Sequence, residues 1–302
     1  MNVRVANGPL SYGVFEVTVS GFANIPDPDD VLAEIASAGY EGTDLGPSGY
    51  LGDGEHLRER IERHGLGLAG GWVPIHFSQP EFWDDDLIQM GRTLDLFAAA
   101  DGSEAKPVLG DSGSPERIAN PGRGAEDPAL GLNEGGWKRF AEGVKRAQEL
   151  ALSRGFEPTF HPHVSTFVEA PWEIERFLDL TEIGITLDTG HIALGGGDPV
   201  WTMREWCGRI NYVHVKDVRM DVLRRVIDER ADMIEAWRRG IFCELGQGDV
   251  DLKGFFGELA RADYAGWIVV EQDRIPRPDE ALSESAQAQV HNRRWLAEHV
   301  GL

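Results

Sequence analysis

Six side chains that can bind a metal or move a proton stand at or just beyond the ends of strand-like segments. They lie in "TFHPHV" (His161, His163), "TLDTGHI" (Asp188, His191), "NYVHV" (His214) and "VVEQD" (Glu271). The spacings 161 to 188 and 188 to 214 are 27 and 26 positions. Each is close to the roughly 30 residues of one strand–helix–strand unit, so we expect these side chains at equivalent heights on neighbouring strands.

This combination of residue types predicts a divalent metal site. Imidazole and carboxylate ligands suit Mn²⁺, Co²⁺, Fe²⁺ or Zn²⁺, and no cysteine lies among these residues. Two neutral histidines with one Asp and one Glu would balance the ion's charge, whereas without an ion the carboxylates would repel or need protons. The structural alternative is that Asp188 caps a helix and His191 is an ordinary surface residue.

The elements that must position these residues alternate regularly. Eight short apolar segments, from "NVRVANG" to "GWIVVEQD", each precede a helix-like segment bounded by Pro, Asp, Ser or Gly. This alternation predicts a parallel sheet covered by helices, and eight repeats predict a single (β/α)₈ TIM-barrel domain over residues 1–302. A doubly wound open sheet is disfavoured because no GxGxxG motif follows the first strand.

Two long segments exceed the basic repeat. One follows strand four ("DSGSPERIANPGRGAEDPALGLNEGG"), and the other follows strand seven and predicts one extra helix over residues 221–239. Both would lie over the catalytic face of the barrel. Glycine-flanked residues 242–247 are interpreted either as a lid or as simple turns.

Charge and composition exclude several classes of partner. Lys and Arg total 29 against 51 Asp and Glu, a formal net charge of −22 that repels phosphate backbones and anionic lipid. We therefore expect no nucleic acid and no membrane partner. The start "MNVRVANGPL" does not resemble a signal peptide, and two cysteines form no disulfide framework, so a cytoplasmic location is expected.

The motifs also carry a family resemblance. "TFHPHVSTFVE", "LDTGHIALGGGDP", "RINYVHVKDVR" and "YAGWIVVEQD" resemble the xylose-isomerase-like barrel superfamily, and within it the inosose dehydratase group. The resemblance implies a metal held by His161, Asp188, His214 and Glu271. It favours Mn²⁺ or Co²⁺, with Zn²⁺, Fe²⁺ or Mg²⁺ as alternatives.

Two positions depart from the dehydratase pattern. Gly71 stands where a Lys is expected before Trp72, and Asp111 stands where a Glu is expected after strand four. These positions face the substrate in the family, so we predict that Trp72, His76 and Asp111 bind it. His76 either replaces a missing polar contact or is a packed imidazole.

The reaction implied is abstraction of a proton α to a carbonyl in a keto-polyol or sugar. His163 or His191 is the predicted base, and Lys216 is predicted to neutralise an oxyanion. A dehydratase would then expel a hydroxyl group, whereas a sugar or sugar-phosphate isomerase or epimerase would return the proton elsewhere. The expected partner is a small polyol or sugar, and a homodimer is left open.

Two other classes of function are weighed against this enzyme. Apurinic endonucleases share the barrel and a similar Asp-x-x-His, but they use three zinc ions and a basic DNA groove, which the net charge of −22 disfavours. A metal-free binding or regulatory protein on a decayed barrel is disfavoured because all four ligand positions are filled.

Overall fold

Eight short strands form a closed parallel barrel in the computed structural model, which describes residues 1–21 and 25–302. The strands of the described residues are β1 (Asn2–Asn7), β2 (Gly42–Asp44), β3 (Gly67–Ile75), β4 (Lys106–Asp111), β5 (Thr159–His161), β6 (Gly184–Asp188), β7 (Ile210–Val215), β8 (Asp217–Val218), β9 (Phe242–Cys243) and β10 (Ala265–Val270). All but β8 and β9 belong to the barrel, in the order β1-β10-β7-β6-β5-β4-β3-β2, and β1 closes it by pairing with both β10 and β2. The predicted TIM-barrel fold is confirmed.

Helices surround this barrel. They are α1 (Glu16–Gly21), α2 (Pro28–Ser37), α3 (Gly54–Arg63), α4 (Trp83–Ala99), α5 (Pro115–Ile118), α6 (Glu134–Ser153), α7 (Pro171–Leu180), α8 (Thr189–Leu194), α9 (Pro199–Trp206), α10 (Met220–Asp228), α11 (Met233–Arg238), α12 (Leu252–Arg261) and α13 (Leu282–Val300). In α3 only Leu57 and Ile61 are buried, one turn apart on an otherwise polar helix, which is the pattern of a helix packed on a sheet. Across residues 1–21 and 25–302, no helix combines the length and apolar character needed to cross a membrane.

An apolar cluster inside the barrel forms the floor beneath the strand ends. Its buried members are Ala6, Ala69, Val108, Tyr212, Trp267 and Val269. The indole of Trp267 fits because Gly42 has no side chain: a Cβ there would lie 2.6 Å from the ring. Side chains two residues apart on a strand share a face, so Tyr212 and Val269 place His214 and Glu271 directly above this floor.

The segment after β7 differs from its prediction. It contains two short helices, α10 and α11, instead of one, because Arg230 between them has a left-handed φ of 54° and Asp232 caps α11 by accepting from the Glu235 N–H. The glycine-flanked residues 242–247 are held inside this insertion. The Asp217 carboxylate accepts hydrogen bonds from the N–H groups of Gly246 (2.8 Å) and Gly248 (3.0 Å), and this favours the interpretation as turns.

A buried ion cluster anchors the segment after β4. Arg117, with no solvent exposure, donates to both carboxylate oxygens of Glu173 at 3.2 and 3.1 Å and lies 3.5 Å from Glu169. Glu169 also accepts from the N–H groups of Gly124 and Ser165. The cluster therefore ties the loops that follow β4 and β5 to the start of α7.

Candidate active site

Strand register brings the four predicted metal ligands together. Asp188 pairs directly with His214 across β6 and β7, and His214 pairs with Val269, two residues before Glu271. The His161 Nε2 atom lies 3.5 Å from Asp188 Oδ2, and His214 Nδ1 lies 3.7 Å from the same oxygen and 3.0 Å from Glu271 Oε2. All four side chains are at most 3% exposed. We call these four residues the ligand cluster.

Asp188 has two roles, one for each carboxylate oxygen. Its Oδ1 accepts from the N–H groups of Gly190 (2.9 Å) and His191 (3.0 Å) and so caps α8. Its Oδ2 is buried and faces the ligand cluster, and the Lys216 ammonium group lies 3.1 Å from it. The capping interpretation and the chemical one are therefore both compatible with this residue.

The remaining donor atoms also suit a divalent ion. His161 Nδ1 donates to the Pro162 carbonyl at 2.7 Å, which leaves the Nε2 lone pair towards Asp188. Metal-binding histidines are commonly fixed in this way by a hydrogen bond from the other ring nitrogen. Both ring nitrogens of His214 are buried and have no well-formed hydrogen bond among the described residues, although Nδ1 lies 3.0 Å from Glu271 Oε2. Buried imidazole and carboxylate atoms that face one another in this way are the donor set that a divalent cation would satisfy.

A second tier of candidate side chains lies two residues beyond three of the ligands, just past the ends of β5, β7 and β10. His163 follows His161, Lys216 follows His214, and Asp273 follows Glu271. The Lys216 ammonium lies 2.9 Å from Asp273 Oδ1 and 2.9 Å from Glu271 Oε2. This tier therefore contacts the ligand cluster directly.

The two candidate bases differ in their free lone pairs. Lys216 Nζ lies 3.0 Å from His191 Nε2, and because an ammonium group can only donate, this nitrogen accepts. His163 instead donates from Nδ1 to the Val164 carbonyl at 2.7 Å, and no described residue forms a hydrogen bond with its Nε2. His163 stacks on His191 with a centroid distance of 3.7 Å. The accessible imidazole lone pair of this tier therefore belongs to His163.

The buried charges shift each other's pKa values in opposite directions. Burial alone would raise the pKa of Glu271, but His214 and Lys216 outweigh it and lower the pKa to about 2. Burial likewise would raise the pKa of Asp188, but Lys216 and His191 hold it well below its ordinary value. Burial would lower the pKa of Lys216, yet Asp188, Asp273 and Glu271 raise it well above the usual range. The cluster therefore holds ionised carboxylates next to a fixed ammonium group.

The predicted substrate residues separate into two groups. Trp72 and Asp111 line the cavity above the cluster, and the Trp72 ring packs on His163 with a centroid distance of 5.4 Å. Gly110 makes room for that indole, since a Cβ there would lie 1.8 Å from it. His76 does not line this cavity: its Nδ1 lies 3.1 Å from Asp86 Oδ2, and its ring stacks on Phe82. The structure therefore does not bring His76 together with the other candidates.

The cavity over the cluster has a volume of about 420 Å³. This lies within the range of roughly 300–1,000 Å³ typical of small-molecule sites. Its base contains His161, His163, His214, Lys216, Glu271 and Asp273. A small molecule in the cavity would therefore contact both tiers.

Comparison with known proteins agrees with this geometry. A family model described as the xylose isomerase-like TIM barrel matches residues 32–299. The chain belongs to this family. The predicted resemblance is thereby confirmed.

Proteins similar to this chain in sequence include an inosose dehydratase of Geobacillus kaustophilus (strain HTA426). It is 31% identical over 277 residues, which cover 90% of this chain and 88% of that protein. Two solved structures share the fold: the IolI protein with a bound zinc atom (TM-score 0.69, 14% identity, 99% of this chain and 100% of that one) and D-allulose 3-epimerase from Methylomonas sp. in complex with D-allulose (TM-score 0.69, 14% identity, 99% and 97%). The relative by sequence is thus an enzyme of carbohydrate metabolism.

Two acidic residues near the site, Asp44 and Asp273, were not predicted as site residues from the sequence. Asp44, at the end of β2, groups with His214 and Glu271, and it accepts from the Tyr212 hydroxyl at 3.2 Å. Asp273 groups with His163 and His191. The two-residue period that relates His161 to His163 also relates Glu271 to Asp273, so this signal was present in the sequence.

Proposed function

We propose that this chain is a divalent-metal-dependent dehydratase of the inosose dehydratase type, which acts on a keto-polyol. The observation that carries the proposal is the convergence of His161, Asp188, His214 and Glu271, whose buried donor atoms lie 3.0 to 3.7 Å from one another along the cluster. The inosose dehydratase that is 31% identical over nine-tenths of the chain supports the choice of reaction.

The ligand cluster supplies the binding part of the proposal. An ion held by these four residues would act as a Lewis acid that polarises a substrate carbonyl, and Mn²⁺ or Co²⁺ is proposed because the set contains imidazole and carboxylate without thiolate. Asp188 Oδ1 keeps its capping bonds while Oδ2 faces the cluster. The backbone of α8 thereby fixes the direction of the ligand oxygen.

His163 is the proposed general base; burial, together with His161 and Lys216, lowers its pKa to about 3, so the imidazole is unprotonated near neutral pH. Its Nδ1 is committed to the Val164 carbonyl, so Nε2 is the atom that would accept the proton α to the carbonyl. Lys216, held among carboxylates, would lower the cost of negative charge that develops on the carbonyl oxygen. His191 is proposed to position Lys216 through the 3.0 Å contact to its Nζ.

Asp111 is the proposed general acid for the leaving hydroxyl. Burial raises its pKa to about 7, so a protonated carboxyl group is available near neutral pH. Asp111 lines the cavity but is not one of the residues grouped as metal ligands. A separate acid and base are what water loss requires.

The test is incubation of the Mn²⁺-loaded protein with 2-keto-myo-inositol. Water loss yields a conjugated, ultraviolet-absorbing diketone, and the absorbance should rise and should stop rising when a chelator is added. Exchange of the α-proton with deuterated solvent without this absorbance would identify an epimerase or isomerase instead. Absence of both signals would overturn the proposal.

A further inference from the structure

The upper wall of the cavity differs in chemistry from its base. The segments after β1, β4 and β7 contribute mainly apolar side chains there: Leu10, Phe15, Ile118, Met233, Ile234 and Trp237. Phe15 and Trp237 form an edge-to-face pair with ring centroids 5.3 Å apart. Ile118 is 40% exposed, so part of this wall meets water. Apolar surface of this kind, continuous with a polar site, is typical of ligand contact.

The charges of the wall exclude a phosphorylated sugar. Lys216 is the one Lys or Arg among the described residues that line the cavity, and it lies at the base, beside Asp188, Glu271 and Asp273, and not on the wall. The wall's Glu16, whose pKa burial raises above its ordinary value, offers no positive charge to a phosphate group. A negatively charged substituent is therefore disfavoured at this end of the cavity.

The volume of the cavity exceeds what a single ring needs. A cavity of roughly 150 Å³ accommodates a bare six-membered ring such as benzene. The measured volume of about 420 Å³ leaves space above a hydroxylated ring bound at the base. This space is next to Phe15 and Trp237, whose rings favour an aromatic partner.

We infer that the substrate is a keto-polyol ring that carries an aryl substituent, with the ring on the polar base and the aryl group against Phe15, Ile234 and Trp237. This inference rests on the proposed function for the location of the reacting ring. The apolar wall then selects among substrates that share the same polyol ring. The insertion after β7, which provides Met233, Ile234 and Trp237, becomes a specificity element.

The test measures binding and does not depend on turnover. The monobenzyl and monomethyl ethers of myo-inositol, which lack the ketone, are titrated into Mn²⁺-loaded protein by calorimetry. We expect the benzyl ether to bind roughly ten- to a hundredfold more tightly, since burial of a ring-sized apolar group contributes about that much. Equal affinity for the two ethers would overturn the inference, whether or not 2-keto-myo-inositol loses water in the separate assay.

Variants locate the effect on the wall. Trp237→Ala should remove most of the preference for the benzyl ether, and Ile234→Ser provides a second variant if loss of the Phe15 contact prevents folding. Trp201→Ala is the matched control, because Trp201 is 40% exposed and contacts Trp206 outside the cavity. An unchanged preference in both wall variants would contradict the inference. Sedimentation provides a second outcome that would contradict the inference. If the protein is a dimer that Trp237→Ala dissociates, and it shows no preference between the two ethers, the wall is an interface with a second copy of the chain.

Discussion

Two buried clusters of charge in this barrel are built from similar groups but are completed differently. In the first, Arg117 pairs with Glu169 and Glu173, and every carboxylate oxygen accepts from the guanidinium group or from backbone N–H groups. In the second, the ligand cluster, Asp188 Oδ2 and both nitrogens of His214 have no well-formed hydrogen bond among the described residues, although Lys216 Nζ lies 3.1 Å from Asp188 Oδ2 and Glu271 Oε2 lies 3.0 Å from His214 Nδ1. All carboxylate oxygens of the first cluster are hydrogen-bonded to protein atoms, although Arg117 Nε is not, whereas Asp188 Oδ2 and His214 Nδ1 of the second cluster have only ion-pair contacts, among them those to Lys216 and Glu271.

This difference separates a stabilising role from a chemical one. Buried polar groups are normally hydrogen-bonded, so we propose that the ligand-type atoms that lack a well-formed hydrogen bond are the ones that would bind a divalent cation. Both clusters hold buried carboxylates, so burial or charge alone would not distinguish them. The predictions below are chosen to affect one cluster without the other.

The largest expected effect comes from Asp188→Asn. The amide oxygen can still cap α8, but an NH₂ group replaces the Oδ2 atom that faces the ligand cluster. Loss of a residue that only hydrogen-bonds to a metal ligand lowers metal affinity by roughly ten- to hundredfold. Loss of the ligand oxygen itself should lower it further, and turnover should fall with it. Chelator competition measures the affinity. Asp188→Ala is the comparison: it should lose the metal as well as about 1 kcal/mol of capping stability, and normal metal binding in either variant would refute the ligand role.

The next effect separates proton transfer from metal binding. His163→Gln should retain the metal but lower turnover by roughly 10²–10⁴-fold, the usual contribution of a general base. His56→Gln, on the exposed face of α3, is the matched control and should behave as wild type. Wild-type exchange of the substrate α-proton in His163→Gln would assign the base to His191 instead.

Substitution in the Arg117 cluster should lower the free energy of unfolding and leave metal binding unchanged. Arg117→Met leaves two buried carboxylates without their cation, and removal of one partner from a buried ion pair costs roughly 3–5 kcal/mol in the free energy of unfolding. Urea unfolding measures this loss, and adding Glu169→Gln and Glu173→Gln to Arg117→Met should recover part of it. Metal affinity should stay at the wild-type value, and a large loss of affinity would mean that the two clusters are coupled.

The sequence predicted the barrel and the position of the ligand cluster because both follow local rules. Strand alternation defined the fold, and strand ends lie together at one face of a barrel, so His161, Asp188 and His214 could be placed without coordinates. The Arg117 cluster was not predicted, because "SPERI" is typical of an exposed helix start and the partner Glu173 is 56 positions away in the sequence. Which of His163 and His191 has a ring nitrogen free to accept a proton also depends on contacts that form only in the folded chain.

The smallest expected effect tests whether the Lys216 ammonium group and a bound divalent ion would compete for the same carboxylate oxygens. Its ammonium group lies 3.1 Å from Asp188 Oδ2 and 2.9 Å from Glu271 Oε2, the same oxygens that face the ligand cluster. A divalent ion at those oxygens would be repelled by Lys216, since like charges a few ångströms apart oppose each other even at a high effective dielectric constant. Lys216→Met should therefore bind Mn²⁺ more tightly, by about tenfold or more, while it lowers turnover because the oxyanion loses its cation.

Isothermal titration at low ionic strength measures the affinity of this variant, and Lys253→Met, on α12 and away from the cavity, is the control. Weaker Mn²⁺ binding in Lys216→Met would show the opposite: that the ammonium group is needed to hold Asp188 and Glu271 in position. The ligand cluster would then be completed by protein atoms in the same sense as the Arg117 cluster, and the contrast between the two regions would fail.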